Sequence, residues 1–332
     1  MAQPPKRKQL TVDEYVKGVK EQNRAVLARA ITLVESNAKK HLKLAQDVLT
    51  ELMPHTGNSI RIGFSGVPGA GKSTLIEAFG MMLCERGHKV AVLAVDPSST
   101  LTGGSILGDK TRMEQLSRHP NAYVRPSPAG GTLGGVARKT RETLLLCEAA
   151  GYDVIIVETV GVGQSEVAVR SMVDFFLVLM LTGAGDELQG MKKGIMEMAD
   201  AMFINKADGP NKQAAQQARV ELNRMLHLLP PITEGWATKA YTVSALTGEG
   251  VDHIWSVIKE HKEHMEENDL FLKRRNEQAL RWFKDLIEEQ VLAQFYEQEI
   301  IKSRLPEMQH QVLSGEAAAT KAALELLEMT KK

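Results

Sequence analysis

Residues 63–74 of this chain read GFSGVPGAGKST, and this stretch decides the fold. Within it, Gly66-x-x-x-x-Gly71-Lys72-Ser73 matches the Walker A pattern, a glycine-rich loop whose backbone N–H groups surround phosphates. A short apolar run precedes the loop and a helical pattern follows it, which is the context that the pattern requires. The sequence therefore predicts a phosphate-binding loop formed by Gly66, Val67, Pro68, Gly69, Ala70, Gly71, Lys72, Ser73 and Thr74.

Two side chains of this loop are predicted to act on the phosphates directly. We expect the Lys72 ammonium to reach the β- and γ-phosphates and the Ser73 hydroxyl to bind Mg²⁺. The start of the following helix adds N–H donors and the positive end of a helix dipole. A glycine-rich turn that binds nothing is the alternative, and the complete pattern in its strand-and-helix context argues against it.

Carboxylates stand where predicted strands end. Asp96 closes the second strand, Glu158 closes the fourth, and Asp109 lies in a glycine-rich segment, residues 102–109. An acidic residue at the carboxyl edge of an α/β sheet points into the ligand crevice. Each of these residues alone could equally be a helix cap or a surface charge, but the Walker A loop favours a metal role for Asp96 and Glu158. The predicted magnesium ligands are Ser73, Asp96, Asp109 and Glu158.

A second motif predicts which base is bound. Asn205-Lys206-Ala207-Asp208 follows an apolar strand, and one Asp208 carboxylate can accept hydrogen bonds from both N1–H and the 2-amino group of guanine. Adenine would leave that carboxylate unpaired, and such a mismatch can reject the wrong base by roughly 10⁴-fold. We expect Lys206 to lie along the base plane and Asn205 to connect this loop to the phosphate loop.

A third segment, Ser244-Ala245-Leu246, follows the last predicted strand. Its small residues suit a turn whose backbone N–H binds guanine O6. The sequence therefore predicts GTP or GDP as the bound nucleotide, with base contacts from Asn205, Lys206, Asp208, Ser244, Ala245 and Leu246.

Short β-branched runs alternate with helical stretches between residues 59 and 264, a pattern typical of a mostly parallel sheet in an α/β fold. The predicted strands are 61–65, 90–95, 123–126, 154–158, 175–181, 201–205 and 241–244. Residues 1–58 are predicted to form a helical extension that begins behind a capping box at Thr11 and ends with a helix over 37–53. Residues 265–332 are predicted to form a second helical extension, whose apolar stripe favours dimerisation.

The composition argues against two classes of partner, nucleic acids and membranes. The chain has 41 acidic and 41 basic residues, so its net charge gives no bias toward nucleic acid or an anionic membrane, and neither partner is expected. No run of 18 apolar residues is present. The two cysteines, Cys84 and Cys147, lie far apart without metal-binding spacing, and a cytoplasmic location fits best.

With these residues in view, the chain resembles the methylmalonyl-CoA mutase-associated GTPases, the MeaB/ArgK group of SIMIBI-class P-loop GTPases. The segments that carry the resemblance are 66–74, 95–99, 158–166 and 185–194. The resemblance implies a homodimeric GTPase that acts as a chaperone for adenosylcobalamin-dependent methylmalonyl-CoA mutase, gating cofactor loading and protecting the mutase from inactivation.

The resemblance also implies roles for individual segments. Asp109 would belong to switch I and residues 158–166 to switch II. Lys72 of the Walker A loop, together with Glu158 and Gly161, would serve catalysis. Residues 185–193 would form a further loop that transmits nucleotide state to the mutase.

The sequence departs from the Ras-like pattern in one respect. Val162, rather than glutamine, follows Gly161, so no residue is assigned to position the attacking water, and slow intrinsic turnover is expected.

Three other functions are alternatives for a chain with a phosphate loop. A nickel-inserting GTPase generally carries Cys or His clusters, and the nine histidines here are scattered. A small-molecule kinase would need an acceptor-substrate motif, which does not appear. A scaffold that binds GTP with negligible turnover remains open, although the intact phosphate motif argues against it.

Overall fold

The computed structural model describes residues 9–95, 113–126, 133–159, 164–182 and 193–330. The chain divides into two compact units, Met1–Leu272 and Lys273–Lys332.

A seven-stranded sheet forms the centre of the first unit, counted over the described residues. The strands are β1 Ile60–Gly66, β2 Val90–Val95, β3 Ala122–Arg125, β4 Val154–Thr159, β5 Phe175–Met180, β6 Ala201–Ile204 and β7 Lys239–Thr242. Their spatial order is β3-β2-β4-β1-β5-β6-β7, and every pair is parallel. Parallel strands place their carboxyl ends at one edge of the sheet, where α/β proteins bind ligands.

The strand sequences explain why the sheet is buried on both faces. Strands β2, β4 and β5 are buried at every position. Along β5, Phe175 and Leu177 pack into one hydrophobic cluster while Phe176 and Val178 pack into the other, because successive side chains point to opposite faces. Apolar residues at every position of a strand are typical of a sheet covered by helices on both sides.

Helices cover the two faces of the sheet. Side chains of α4 (Lys72–Glu85), α5 (Glu114–Arg118) and α10 (Val251–Glu267) join one cluster. Side chains of the other helices join the second cluster: α6 (Leu133–Ala149), α7 (Gln164–Arg170), α8 (Lys193–Met198) and α9 (Lys212–Leu226). Two short 3₁₀ segments, Met53–His55 and Gly209–Asn211, complete the connections.

The amino-terminal helices belong to the same unit as the sheet. They are α1 (Val12–Lys20), α2 (Arg24–Val34) and α3 (Lys39–Leu52). The predicted capping box is present, since Thr11 Oγ1 accepts from the Glu14 N–H and Glu14 accepts from the Thr11 N–H. These helices contribute to the same cluster as α6 and so add a further layer on that face.

The second unit has its own small core. It comprises most of α11 (Leu270–Glu297), together with α12 (Glu299–Leu313) and α13 (Ala319–Met329). Its buried residues are Ile301, Met308, Ala322 and Leu326. Along α11, a row of large apolar side chains at helical spacing is exposed: Leu280, Phe283, Ile287 and Val291.

The predicted α/β fold with a parallel sheet is confirmed. All seven predicted strands are present, and their ends differ from the predicted ones by at most two residues. The largest difference is at β7, which runs over Lys239–Thr242 rather than 241–244. Helix α2 is absent from the prediction, although its N-cap Asn23 and its repeating apolar residues are visible in the sequence.

Both cysteines are free and buried. Among the helices of the described residues, none combines the length and the apolar character needed to cross a membrane.

Candidate nucleotide-binding site

The Walker A loop occupies residues 67–71, between the end of β1 at Gly66 and the start of α4 at Lys72. Gly71 is the N-cap of α4 and has a left-handed backbone, with φ of +86°. A Cβ at Gly71 would lie 2.7 Å from the Asn205 amide nitrogen, and one at Gly66 would lie 2.2 Å from the Leu179 carbonyl oxygen on β5. Glycine is therefore required at both ends of the loop for steric reasons.

The remaining predicted loop residues complete the turn. The Ala70 N–H donates to the Val67 carbonyl at 3.2 Å, and Ala70 is fully buried. Pro68, Gly69 and Thr74 are exposed. The loop thus folds back on itself with its tip toward solvent and its base anchored in the sheet.

Lys72 is held over the loop. Its ammonium donates to the Gly66 carbonyl at 2.8 Å and is partly buried. Burial lowers the pKa of Lys72, while the carboxylates of Glu158 and Glu166 act in the opposite direction. A partly desolvated ammonium interacts more strongly with a phosphate than a fully hydrated one does.

Ser73 and Glu158 form the described part of the predicted magnesium site. The Ser73 hydroxyl donates to Glu158 Oε1 at 3.2 Å, and Glu158 is 4% exposed. In the sheet, Glu158 lies opposite Phe64 of β1 and Ala94 of β2. A hydroxyl and a carboxylate are oxygen ligands of the kind that Mg²⁺ prefers, so the pair fits this ion.

Three predicted site residues, Asp96, Asp109 and Gly161, lie outside the described residues. Within the described part of the chain, no group of three or more His, Cys, Asp or Glu side chains is arranged to hold a metal ion. The described part of the predicted metal site therefore consists of Ser73 and Glu158.

Asn205 connects the base loop to the phosphate loop, as predicted. Its amide nitrogen donates to the Ala70 carbonyl at 2.7 Å, and its amide oxygen accepts from the Ala245 N–H at 3.1 Å. The side chain is 1% exposed, so these two bonds satisfy it in the absence of water. One amide thereby joins the Walker A loop, the end of β6 and the segment after β7.

Asp208 is oriented by Ser244. The Ser244 hydroxyl donates to Asp208 Oδ1 at 2.7 Å and accepts from the Thr247 N–H at 3.1 Å. A carboxylate has about four lone-pair positions, so further donors can still bind Asp208. Leu246 is 82% exposed beside this segment.

Lys206 has a backbone conformation that is uncommon for a residue with a side chain, with φ of +60°. Its carbonyl accepts from the Asn211 amide at 2.7 Å, and the Asn211 amide oxygen accepts from the Thr182 hydroxyl at 2.7 Å. These bonds hold the loop in a shape that leaves the Lys206 side chain exposed and able to lie along a base.

Sequence reasoning missed three of these supporting residues. Thr182 and Asn211 lie outside any motif, and no local signal marks them. Glu166 lies inside the quoted segment 158–166 but was given no role, although its charge acts on Lys72.

The chain is similar to known GTPases over most of its length. Residues 27–300 match the family model described as methylmalonyl Co-A mutase-associated GTPase MeaB. A putative GTPase of Caulobacter vibrioides is 53% identical over 305 residues, covering 92% of this chain and 93% of that protein. GTPase ArgK of Escherichia coli is 48% identical over 289 residues, covering 87% of each chain.

A mouse protein and a solved structure are also similar to this chain. The mitochondrial methylmalonic aciduria type A homolog of Mus musculus is 46% identical over 335 residues, covering 98% of this chain and 81% of that protein. The crystal structure of a LAO/AO transport system kinase superposes with a TM-score of 0.78 at 38% identity, covering 98% of this chain and 99% of the other. The chain belongs to the methylmalonyl-CoA mutase-associated GTPase (MeaB) family.

Proposed function

We propose that this protein binds GTP, hydrolyses it slowly and uses the cycle to act as a chaperone for adenosylcobalamin-dependent methylmalonyl-CoA mutase. The observation that carries the nucleotide assignment is the joining of the two motifs by Asn205, with Asp208 held by Ser244 beside it. A Walker A loop alone would accept any nucleoside triphosphate, whereas the adjoining carboxylate selects guanine.

In this proposal the chain binds and orients the phosphates. The loop N–H groups and Lys72 hold the β- and γ-phosphates, and Lys72 exchanges its bond to the Gly66 carbonyl for phosphate oxygens. Ser73 and Glu158 would hold Mg²⁺, together with Asp96 and Asp109. The ion supplies neutralisation of charge on the transferred phosphoryl group. Because no glutamine follows Gly161, we expect the unassisted rate to be low and a partner to raise it.

The mutase assignment rests on the family and its relatives. The family model carries the mutase in its description, and the mouse relative carries methylmalonic aciduria in its name. Loading and protecting a cofactor enzyme requires two protein states of different affinity, which GTP and GDP can provide. We infer that this chain gates cobalamin delivery to its mutase.

We further propose that the protein is a homodimer. The exposed row on α11 contains Leu280, Phe283, Ile287 and Val291, of which Phe283 is 59% exposed. Large apolar side chains repeating on one helix face are typical of a helix that packs against a partner. A second copy of the chain would bury this row.

The phosphate assignment is tested by Lys72→Ala. Loss of the ammonium removes a charge that neutralises the γ-phosphate, so we expect GTP hydrolysis to fall by about 100-fold or more and binding to weaken. Phosphate release and calorimetry measure the two effects. Lys17→Ala, which removes an exposed lysine on α1, is the matched control and should behave as the parent. Unchanged turnover in Lys72→Ala would refute the assigned site.

The base assignment is tested by Asp208→Asn. An asparagine amide offers one donor and one acceptor, which suits xanthine better than guanine, so GTP affinity should fall by roughly 100-fold while XTP affinity rises. Calorimetric titration with both nucleotides measures this exchange. Asp47→Asn, at an exposed position on α3, should leave the preference for GTP intact. Retained selectivity for GTP in Asp208→Asn contradicts the assignment.

The mutase assignment is tested by co-purification with the mutase of the source organism. We expect retention to differ between the GTP, GDP and nucleotide-free states by a factor of about 5 to 150. Asp208→Asn provides an internal control, because its retention should respond to XTP instead of GTP. Equal retention in all three states, or none in any, counts against the chaperone role.

The dimer is tested by sedimentation velocity. The parent should sediment as a dimer, and Phe283→Glu combined with Ile287→Glu should sediment as a monomer, because two charges would be buried in the interface. Leu228→Glu is the control, since Leu228 is 85% exposed but lies in the first unit. A monomeric parent at micromolar concentration would exclude the proposed dimer.

A further inference from the structure

A buried carboxylate outside the nucleotide site makes polar contacts with four parts of the first unit. Asp200 has no exposed surface and lies between α8 and β6. Arg170, the last residue of α7, donates to it at 2.9 and 3.3 Å. The Phe176 N–H of β5 donates at 2.8 Å, the Thr233 hydroxyl donates at 2.9 Å, and His261 Nε2 of α10 lies 3.3 Å away. We call these five residues the Asp200 cluster.

The indole ring of Trp236 contacts this cluster. Trp236 Nε1 donates to the Asp200 carbonyl at 2.9 Å, and the Trp236 ring stands perpendicular to the His261 ring with 5.0 Å between their centres. Trp236 is only partly buried. Any shift of Asp200 or His261 therefore changes the surroundings of this ring.

The other end of α7 follows β4 and carries a buried carboxylate. Glu166 lies four residues before Arg170, so the two side chains share one face of the helix. Glu166 is 5% exposed, and its negative charge acts on the Lys72 ammonium. Helix α7 also packs closely on β1, since a Cβ at Gly63 would lie 3.0 Å from the Val169 side chain. The helix thus packs on β1, the strand that leads into the phosphate loop, and its last residue bonds Asp200.

Nucleotide exchange changes the charges that Glu166 faces. Under the proposed GTP binding, Lys72 exchanges the Gly66 carbonyl for phosphate oxygens, and negative charge enters the loop that holds the lysine on which Glu166 acts. A nearly buried carboxylate is screened much less than an exposed one, so this change in charge exerts a force on α7. A single turn or two of helix moves as one body, and Arg170 at its end is joined to Asp200 by two hydrogen bonds.

We infer that α7 and the Asp200 cluster form a mechanical link that transmits the nucleotide state from the phosphate loop to α10 and to the segment around Trp236. The inference rests on the proposed GTP binding. The coupling is reciprocal. A partner that binds α10 or the segment around Trp236 more tightly in the GTP-bound state than in the GDP-bound state therefore raises the affinity for GTP relative to GDP. This link gives the nucleotide a route to the opposite, amino-terminal edge of the sheet, where β6 begins.

Stability alone is a competing explanation for such a cluster, because a buried ion pair resists the loss of either partner. The two explanations differ in what they predict for a variant that stays folded. If the cluster is only structural, Trp236 in the folded variant still responds to the nucleotide as it does in the parent. If the cluster transmits the nucleotide state, the variant loses that response.

The test uses the full chain with Trp255→Phe and Trp282→Phe, which leaves Trp236 as the single tryptophan of the sequence. Emission is recorded with GDP and with a non-hydrolysable GTP analogue, and calorimetry measures the binding of both nucleotides independently. We expect emission to differ between the two nucleotides in this parent. Arg170→Gln should bind both nucleotides and lose the difference.

Arg86→Gln is the matched control. Arg86 also forms an ion pair with α10, through Asp252, but has no bond to Asp200. It should retain the emission difference. If Arg170→Gln fails to fold, as judged by circular dichroism, Arg170→Lys takes its place, because it keeps the charge and loses the paired geometry of the guanidinium.

Two results would overturn the link. One is an equal emission difference in the Arg170 variant and the parent when both bind nucleotide. The other is a parent that binds both nucleotides without any difference in emission. A parent that binds neither nucleotide instead refutes the proposed GTP binding itself, and the calorimetric titration distinguishes this case from the first two.

Discussion

The nucleotide site depends on one buried amide. Asn205 donates to the Ala70 carbonyl and accepts from the Ala245 N–H, so the phosphate loop and both base-binding segments share a single side chain. Gly71 must lack a Cβ because that atom would lie 2.7 Å from this amide. The glycine of the Walker A pattern is therefore required by the neighbouring motif as well as by the phosphates it is shaped to hold.

The sheet order supplies the second requirement. Because β4 lies between β1 and β2, Glu158 meets the residues that follow β1 and approaches Ser73, 85 positions earlier in the chain. The same order places α7, which follows β4, against β1, the strand that leads into the phosphate loop. A helix that packs on this strand and bonds Asp200 through Arg170 is a consequence of this topology. Phosphate binding and the distant cluster are thus connected by the path of the chain.

Sequence patterns are most informative where the chemistry is local. The Walker A loop and the segment Asn205–Asp208 each place their candidate functional atoms within a few residues, so spacing alone predicts a role for them. The strands were found because apolar runs between helical stretches are a local pattern. The supporting bonds of Asn211 and Thr182 were not found, since they join residues 29 positions apart in no motif.

The sequence by itself determined the class of fold, the Walker A loop and the Asn-Lys-x-Asp segment for which guanine binding is proposed. These properties follow from the order of residues along short segments, which restricts backbone conformation and presents particular donors and acceptors. Only the tertiary structure decided that Ser73 meets Glu158, that Glu166 acts on Lys72, and that four residues converge on Asp200. The physical reason is that the periodicity of a segment shows which of its faces is apolar. Which other helix or strand covers that face depends on packing across the whole chain.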